Sequence, residues 1–189
     1  MTQQGKNAID LVLAESLIEL SAKKPIDKIT IKEITDKAGV IRPTFYNHFQ
    51  DKYYLIEWII KTELLEPIKP LLNAGMIFEA IVLMLNNITA NSVFYKKALK
   101  LEGAVTFNQI AMKCVYEMFM NIISEKSTGK KSKYRWLTPE VISTYYAQSL
   151  CFITEGWIAQ GMDDIEPKEM AEAYMYLITR SMDDILSEL

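Results

Sequence analysis

The sequence predicts an all-α protein, an N-terminal three-helix helix-turn-helix domain joined to a C-terminal antiparallel helical bundle, with about nine helices in total. Three observations predict it. Apolar residues recur at spacings of three and four through nearly the whole chain. No window shows sustained alternation of apolar and polar residues with strand-like bounds. Helix-start signals stand at Thr30 with Glu33, at Asp51, and at Thr138 with Pro139.

Residues 1–6 form a polar arm without expected structure, in which Lys6 is either frayed or within reach of a phosphate. The first helix is expected from Asn7 to Ala22, on a stripe of Ile9, Val12, Leu13, Ser16, Leu17 and Leu20. Lys23, Lys24 and Pro25 close it, the lysines suiting the negative end of the helix dipole. Thr30 and Glu33 then make a capping box, with Ile31, Ile34 and Ala38 on one face of a short helix. Gly39 supplies the left-handed stop. A second short helix begins near Ile41 or Arg42, with Pro43 tolerated in its first turn. Val40, Phe45 and Phe49 face inward in this reading, which leaves Arg42, Thr44, Tyr46, Asn47 and His48 on or near an outward face.

Asp51 caps the next helix, 51–66, whose apolar pattern runs through Leu55, Ile56, Ile59, Ile60 and Leu64. Pro67, Pro70 and Gly75 mark a hinge or boundary. Helices are expected at 76–90, 92–101, 105–125, 139–160 and 167–187. The basic stretch from Lys126 to Trp136 reads as a second phosphate or partner site, or as a solvated connection such as surface loops normally are. The expected division is 1–52 for the helix-turn-helix domain and 53–189 for a helical effector-binding and dimerisation domain, with helix 51–66 linking the two.

The last two helices carry apolar residues around much of their circumference. Val141, Tyr145, Phe152 and Trp157 spread over the first, and Met170, Leu177, Met182 and Leu186 over the second. One core cannot cover them all, so a homodimer through helices 139–160 and 167–187 is expected, against the alternative of a fully internal central helix.

Composition narrows the function classes. The net charge is -3, yet residues 1–52 hold eight Lys and Arg against seven Asp and Glu, a net of +1. Nucleic-acid binding would therefore rest on a few aimed contacts. No apolar run approaches a membrane span, and Asp10, Glu15 and Glu19 spoil a signal peptide, so a cytoplasmic protein is expected. Cys114 and Cys151 lack metal-ligand spacing. His48 is the single histidine, which argues against a His-based triad and excludes a di-iron bundle. There is no Walker loop or GxGxxG fingerprint, and no cofactor or metal is implied. Glu155 beside Trp157 reads as a paired or rim carboxylate, and the chain is expected not to be an enzyme.

The ordered string of a capped helix, Ala38-Gly39-Val40, Thr44-Phe45-Tyr46-Asn47-His48-Phe49 and Asp51-Lys52 closely resembles the TetR/AcrR family of transcriptional regulators. Asn91 to Lys97 and Phe152 to Gly156 are similar to its DhaS-like subgroup, whose founding member regulates dihydroxyacetone kinase genes. The resemblance implies a homodimer on a palindromic double-stranded operator, most commonly as a repressor. A helical interaction module or co-regulator, such as a DhaS-like activator answering to a partner protein, is the alternative. Position by position, it places Thr30 and Lys32 at the start of the motif's first helix, where phosphates meet free amides and a side chain can reach a groove edge, Arg42, Pro43, Thr44 and Asn47 against bases, and Tyr46, His48 and Lys52 on the DNA backbone. Side-chain chemistry agrees: Arg chelates guanine, Asn pairs with adenine, and Tyr, His and Lys donate to phosphates.

An effector would enter the C-terminal bundle, whose Met and aromatic residues serve as packing or, as a set, line a pocket. Met84, Tyr95, Met112 and Tyr116 belong to that set. Tyr145, Gln148, Phe152, Glu155 and Trp157 complete the set, with tyrosine hydroxyls, Gln148 or Glu155 as polar anchors. The effector is either a small molecule or a partner protein.

Overall fold

Helix α1 (Gln3–Lys23) is longer than expected, because no proline or cap before Asn7 sets a boundary. The computed structural model describes residues 3–103, 105–126 and 132–188, with side chains from Ala8 onward. Met1 and Thr2 of the expected arm, the Lys6 side chain and residues 127–131 of the basic stretch lie outside the described residues. The buried stripe of α1 is Leu13, Ala14, Ser16, Leu17 and Ser21, whereas Val12, expected inward, is exposed. Small Ala14 and Ser21 let neighbouring helices approach closely, which hydrophobicity alone does not signal.

A 3₁₀ turn (Ile26–Lys28) leads to α2 (Ile31–Ala38), α3 (Arg42–His48) and α4 (Lys52–Ile59). The start signals behave as expected. Thr30 Oγ1 accepts from the Glu33 amide, and Glu33 returns a bond to the Thr30 amide at 2.9 Å. Asp51 Oδ1 accepts from the amides of Tyr53 and Tyr54 at 2.7 and 3.1 Å.

Beyond Ile59 the chain does not remain α-helical. Residues Ile60–Leu65 form a π-helical segment. The apolar positions explain it: Ile59 and Ile60 are followed inward by Leu64 and Leu65, and the extra residue per turn carries both leucines into the core. The hinge expected at Pro67–Gly75 contains a short helix, α5 (Lys69–Asn73), with Pro70 in its first turn where its missing amide costs nothing.

Helices α6 (Ile77–Ala90) and α7 (Ser92–Ala98) meet at a bend of 89°. Helix α8 (Phe107–Lys126) starts behind a Thr106–Gln109 capping pair, and α9 (Pro139–Ala159) behind Thr138, whose hydroxyl accepts from Val141 N. The last expected helix, 167–187, is in fact two, α10 (Pro167–Thr179) and α11 (Met182–Glu188). Arg180 is extended, and Ser181 pairs with Asp184 as a fresh capping box that restarts the helix. This break and α5 raise the helix count above the expected nine. All regular elements among the described residues are helical.

α8 packs along α9, α10 lies on α6, and α1 packs against α2, α7 and α4. An ion-pair network joins α4 to α8: Glu57 takes Lys61 at 2.7 Å and Lys113 at 2.8 Å, and Lys61 also takes Glu117 at 2.7 Å. Cys114 and Cys151 are buried, which pushes both thiols up to about 12, so they behave as packing groups. Among the described residues no single helix is long and apolar enough to cross a membrane, and no His, Cys, Asp and Glu cluster could hold a metal.

Candidate nucleic-acid interface

The α2–turn–α3 unit is built from its turn outward. Gly39 has φ 69°, the left-handed conformation that only glycine adopts without strain, and the amide of Val40 reaches back to the Thr35 carbonyl at 3.0 Å. Ile41 is extended, and α3 starts at once with Pro43 in its first turn. Phe45 is fully buried at the centre of the unit, flanked by Phe49 at a ring distance of 5.8 Å and by the edge-on ring of Tyr46 at 5.7 Å. Trp58 of α4 closes the stack against Phe49 at 6.2 Å.

This anchoring presents Arg42, Pro43, Tyr46 and Asn47 to solvent, with Thr44 half-buried beside them. Thr30 and Lys32 are exposed at the start of α2. Among the described residues neither Arg42 nor Lys32 pairs with a carboxylate, so both charges face outward unspent. By contrast, Lys24 and Lys37 are held by Glu33 and Glu19. Ile41, which the sequence reading passed over, stands 69% exposed at the entry to α3. A β-branched apolar residue directly before Arg42 was the available signal, and its chemistry suits a thymine methyl.

Two expected backbone contacts face elsewhere. His48, placed outward by simple periodicity, has a side chain only 3% exposed, and its Nδ1 donates to Asp10 Oδ1 at 2.6 Å. The helix end twists the ring inward to meet α1, a partner 38 residues away. Lys52 folds back so that its ammonium donates to the carbonyls of Ile26, Asp27 and Ile29 at 2.9, 2.7 and 3.1 Å. Burial lowers its pKa, and nearby Asp27 restores only part of the shift. Both residues brace the unit: one ties α3 to α1, the other ties α4 to the 3₁₀ turn.

The nine residues expected around an effector pocket do not converge. Met84, Tyr95 and Glu155 line one interior cavity of about 40 Å³. Trp157 is buried, with Nε1 donating to the Ile165 carbonyl at 2.9 Å. Met112 and Tyr116 are half-buried on α8, off that cavity. Tyr145, Gln148 and Phe152 lie on the outer side of α9, the last 76% exposed. Helical rotation separates them: Ala147, Leu150, Cys151 and Ile158 take the inner face of α9, and those three fall on the other.

A model of the bacterial regulatory proteins, tetR family, matches residues 15–59, and one of a transcriptional regulator C-terminal region of that family matches residues 76–180. The chain belongs to the TetR family. It is thus a transcriptional regulator with a helix-turn-helix and not an enzyme. Among TetR-family relatives, it is 26% identical over 152 residues to the HTH-type dhaKLM operon transcriptional activator DhaS of Lactococcus lactis subsp. lactis (strain IL1403), covering 79% of each chain. The solved dihydroxyacetone kinase operon activator DhaS shares the fold with a TM-score of 0.60 at 20% identity, over 95% of both chains. NalD, the secondary repressor of the MexAB-OprM multidrug efflux pump in Pseudomonas aeruginosa, shares it with a TM-score of 0.59 at 12% identity, over 92% of this chain and 96% of that one.

Proposed function

We propose that this TetR-family chain is a cytoplasmic homodimeric repressor that reads a palindromic operator through one α2–turn–α3 unit per subunit. In this reading, residues 1–52 are the DNA-binding domain and 53–189 the regulatory and dimerisation domain. The carrying observation is the outward set of Arg42, Pro43, Tyr46 and Asn47, with Thr30 and Lys32 beside it, on a unit fixed from behind by buried Phe45. Arg42 and Asn47 read base edges, Thr44 and Pro43 contact methyl groups, and Thr30, Lys32 and Tyr46 hold the backbone. His48 and Lys52 act behind the interface by keeping α3 and α4 in place.

The second copy is supported by the apolar surface left bare on α9, α10 and α11. Phe152, Leu177, Met182 and Leu186 are all exposed there. A dimer sets the spacing of two reading units, which must match half-sites about 34–36 Å apart or a multiple of that. An effector in the regulatory domain changes that spacing through α4. Activation is the second reading, favoured by the 26% identity to a relative named as an operon activator.

The test is a genomic selection for bound DNA, followed by titration of the recovered fragment. Steep weakening with added salt, and a loss of about 1–3 kcal/mol on Arg42→Ala, support the reading. No DNA retained at low salt overturns it.

A further inference from the structure

Helix α11 finds no seat within its own chain. None of its residues is buried, and it packs extensively on no other helix. One side-chain bond, from the Tyr176 hydroxyl to the Glu188 carboxylate at 2.5 Å, ties its end to α10. A helix of seven residues is too short to hold itself together in water, so it needs a surface to lie on. Its composition describes that surface. Met182 and Leu186 stand one turn apart and are both exposed, while Asp183, Asp184 and Glu188 give the helix three negative charges and no positive one. A partner surface must be apolar with a basic edge. α11 also lies beyond Arg180, the last residue that the family's C-terminal region matches.

Such a surface stands at the start of α9. Trp136, Leu137, Val141 and Tyr145 line a groove of about 760 Å³, ample for two aliphatic side chains from one helix face. Trp136 is 74% exposed, an unusual state for an indole with nothing over it. Lys133 and Arg135, from the basic stretch that operator binding leaves without a role, directly precede the groove in the chain and are exposed. Among the described residues neither they nor Asp183, Asp184 and Glu188 form an ion pair. Glu140 also lines the groove, but it is engaged by Thr138 and by its own amide at the helix start. The groove and α11 lie at the same end of the α9–α10 pair, because Ile142 and Tyr146 line both the groove and the cleft that holds Met175, Ile178 and Thr179 of α10. Yet no residue of α11 lines the groove of its own chain.

We propose that α11 is an arm exchanged between two copies of this chain. Its Met182 and Leu186 seat in the groove of the other copy, and its acidic side faces Lys133 and Arg135 there. A two-fold axis along the α9–α10 pair brings like ends of two subunits together, so each arm meets the opposite groove and the exchange closes both. The inference rests on the homodimer reading and deepens it. It adds a contact apart from the α9 and α10 faces, and it gives the basic stretch a protein partner in place of a phosphate.

The test uses the full-length chain without DNA. Met182→Ser with Leu186→Ser touches no buried residue, so the fold should persist while sedimentation shows a dimer weakened about a hundredfold. Arg135→Glu alone is expected to weaken the dimer about tenfold, and Asp183→Arg added to it to restore most of the loss. When chains carrying Met182→Cys are mixed with chains carrying Trp136→Cys, mild oxidation should give a covalent dimer that neither variant forms alone, the native Cys114 and Cys151 being buried. Unchanged dimer affinity in the serine pair, no recovery on charge exchange, or a disulfide that closes within one chain when both cysteines are placed on it overturns the proposal. A dimer indifferent to α11 overturns this inference alone, whereas an unaltered chain that stays monomeric overturns the homodimer reading and the inference with it.

Discussion

The DNA-reading end and the α9–α11 end of the molecule solve the same problem, closing an apolar face, in opposite ways. At the first end, α1 to α4 close over Leu17, Ile34, Phe45 and Ile56, and the polar ends of α2 and α4 are capped locally by Thr30 and Asp51. At the other, Tyr145, Phe152, Met182 and Leu186 are left in solvent. The reading unit is thus complete within one chain, whereas the far end is complete only when something covers it.

The largest expected effect breaks the self-sufficient end. Phe45→Ala removes a fully buried ring, a loss of about 3–5 kcal/mol. Chemical denaturation should show it, together with abolished DNA binding. Next, Phe152→Glu puts a charge on the open end. The isolated chain should keep its helical circular dichroism, but sedimentation should show a dimer weakened by about 2–4 kcal/mol, with operator affinity falling in step. Full-affinity DNA binding by a proven monomer would refute the link between the two ends.

A smaller effect sharpens the local account of the first end. Thr30→Ala should cost about 1 kcal/mol. The Lys24 ammonium, together with Thr30, lowers the Glu33 carboxyl from 4.5 to about 2. Because the folded value lies below the unfolded one, the stabilisation is fully present above pH 4.5 and is lost as pH falls toward 2. In Glu33→Gln that part of the acid dependence should vanish in a pH series of thermal melts. The smallest effect concerns the join between the ends. Glu57→Gln weakens the pairs to Lys61 and Lys113 and should lower stability by about 0.5–1 kcal/mol, an effect that fades in high salt.

What was legible in the sequence follows range. Thr30, Gly39, Asp51 and Thr138 act within three or four residues of themselves, and each element boundary they mark was readable. Ser181 and Asp184 belong to the same class and could have revealed the break before α11. His48 and Lys52 were misplaced because their partners lie 38 and about 25 residues away, and periodicity does not report such distant partners. The π-helical segment was hidden for a related reason: Leu64 and Leu65 fit an α-helical stripe loosely, and only packing decides that both go inward. The pocket set failed since residue type does not say which side of α9 a side chain takes.

The bond between His48 and Asp10 has one more consequence. It bolts the end of α3 to the longest lever the N-terminal unit possesses, so α3 cannot swivel in its seat without dragging α1 along. In the proposed dimer each reading head is a fixed jaw of a caliper whose grip changes by sliding or tilting the whole jaw, and amide exchange across α3 should then stay equally slow whether the jaws are open or closed.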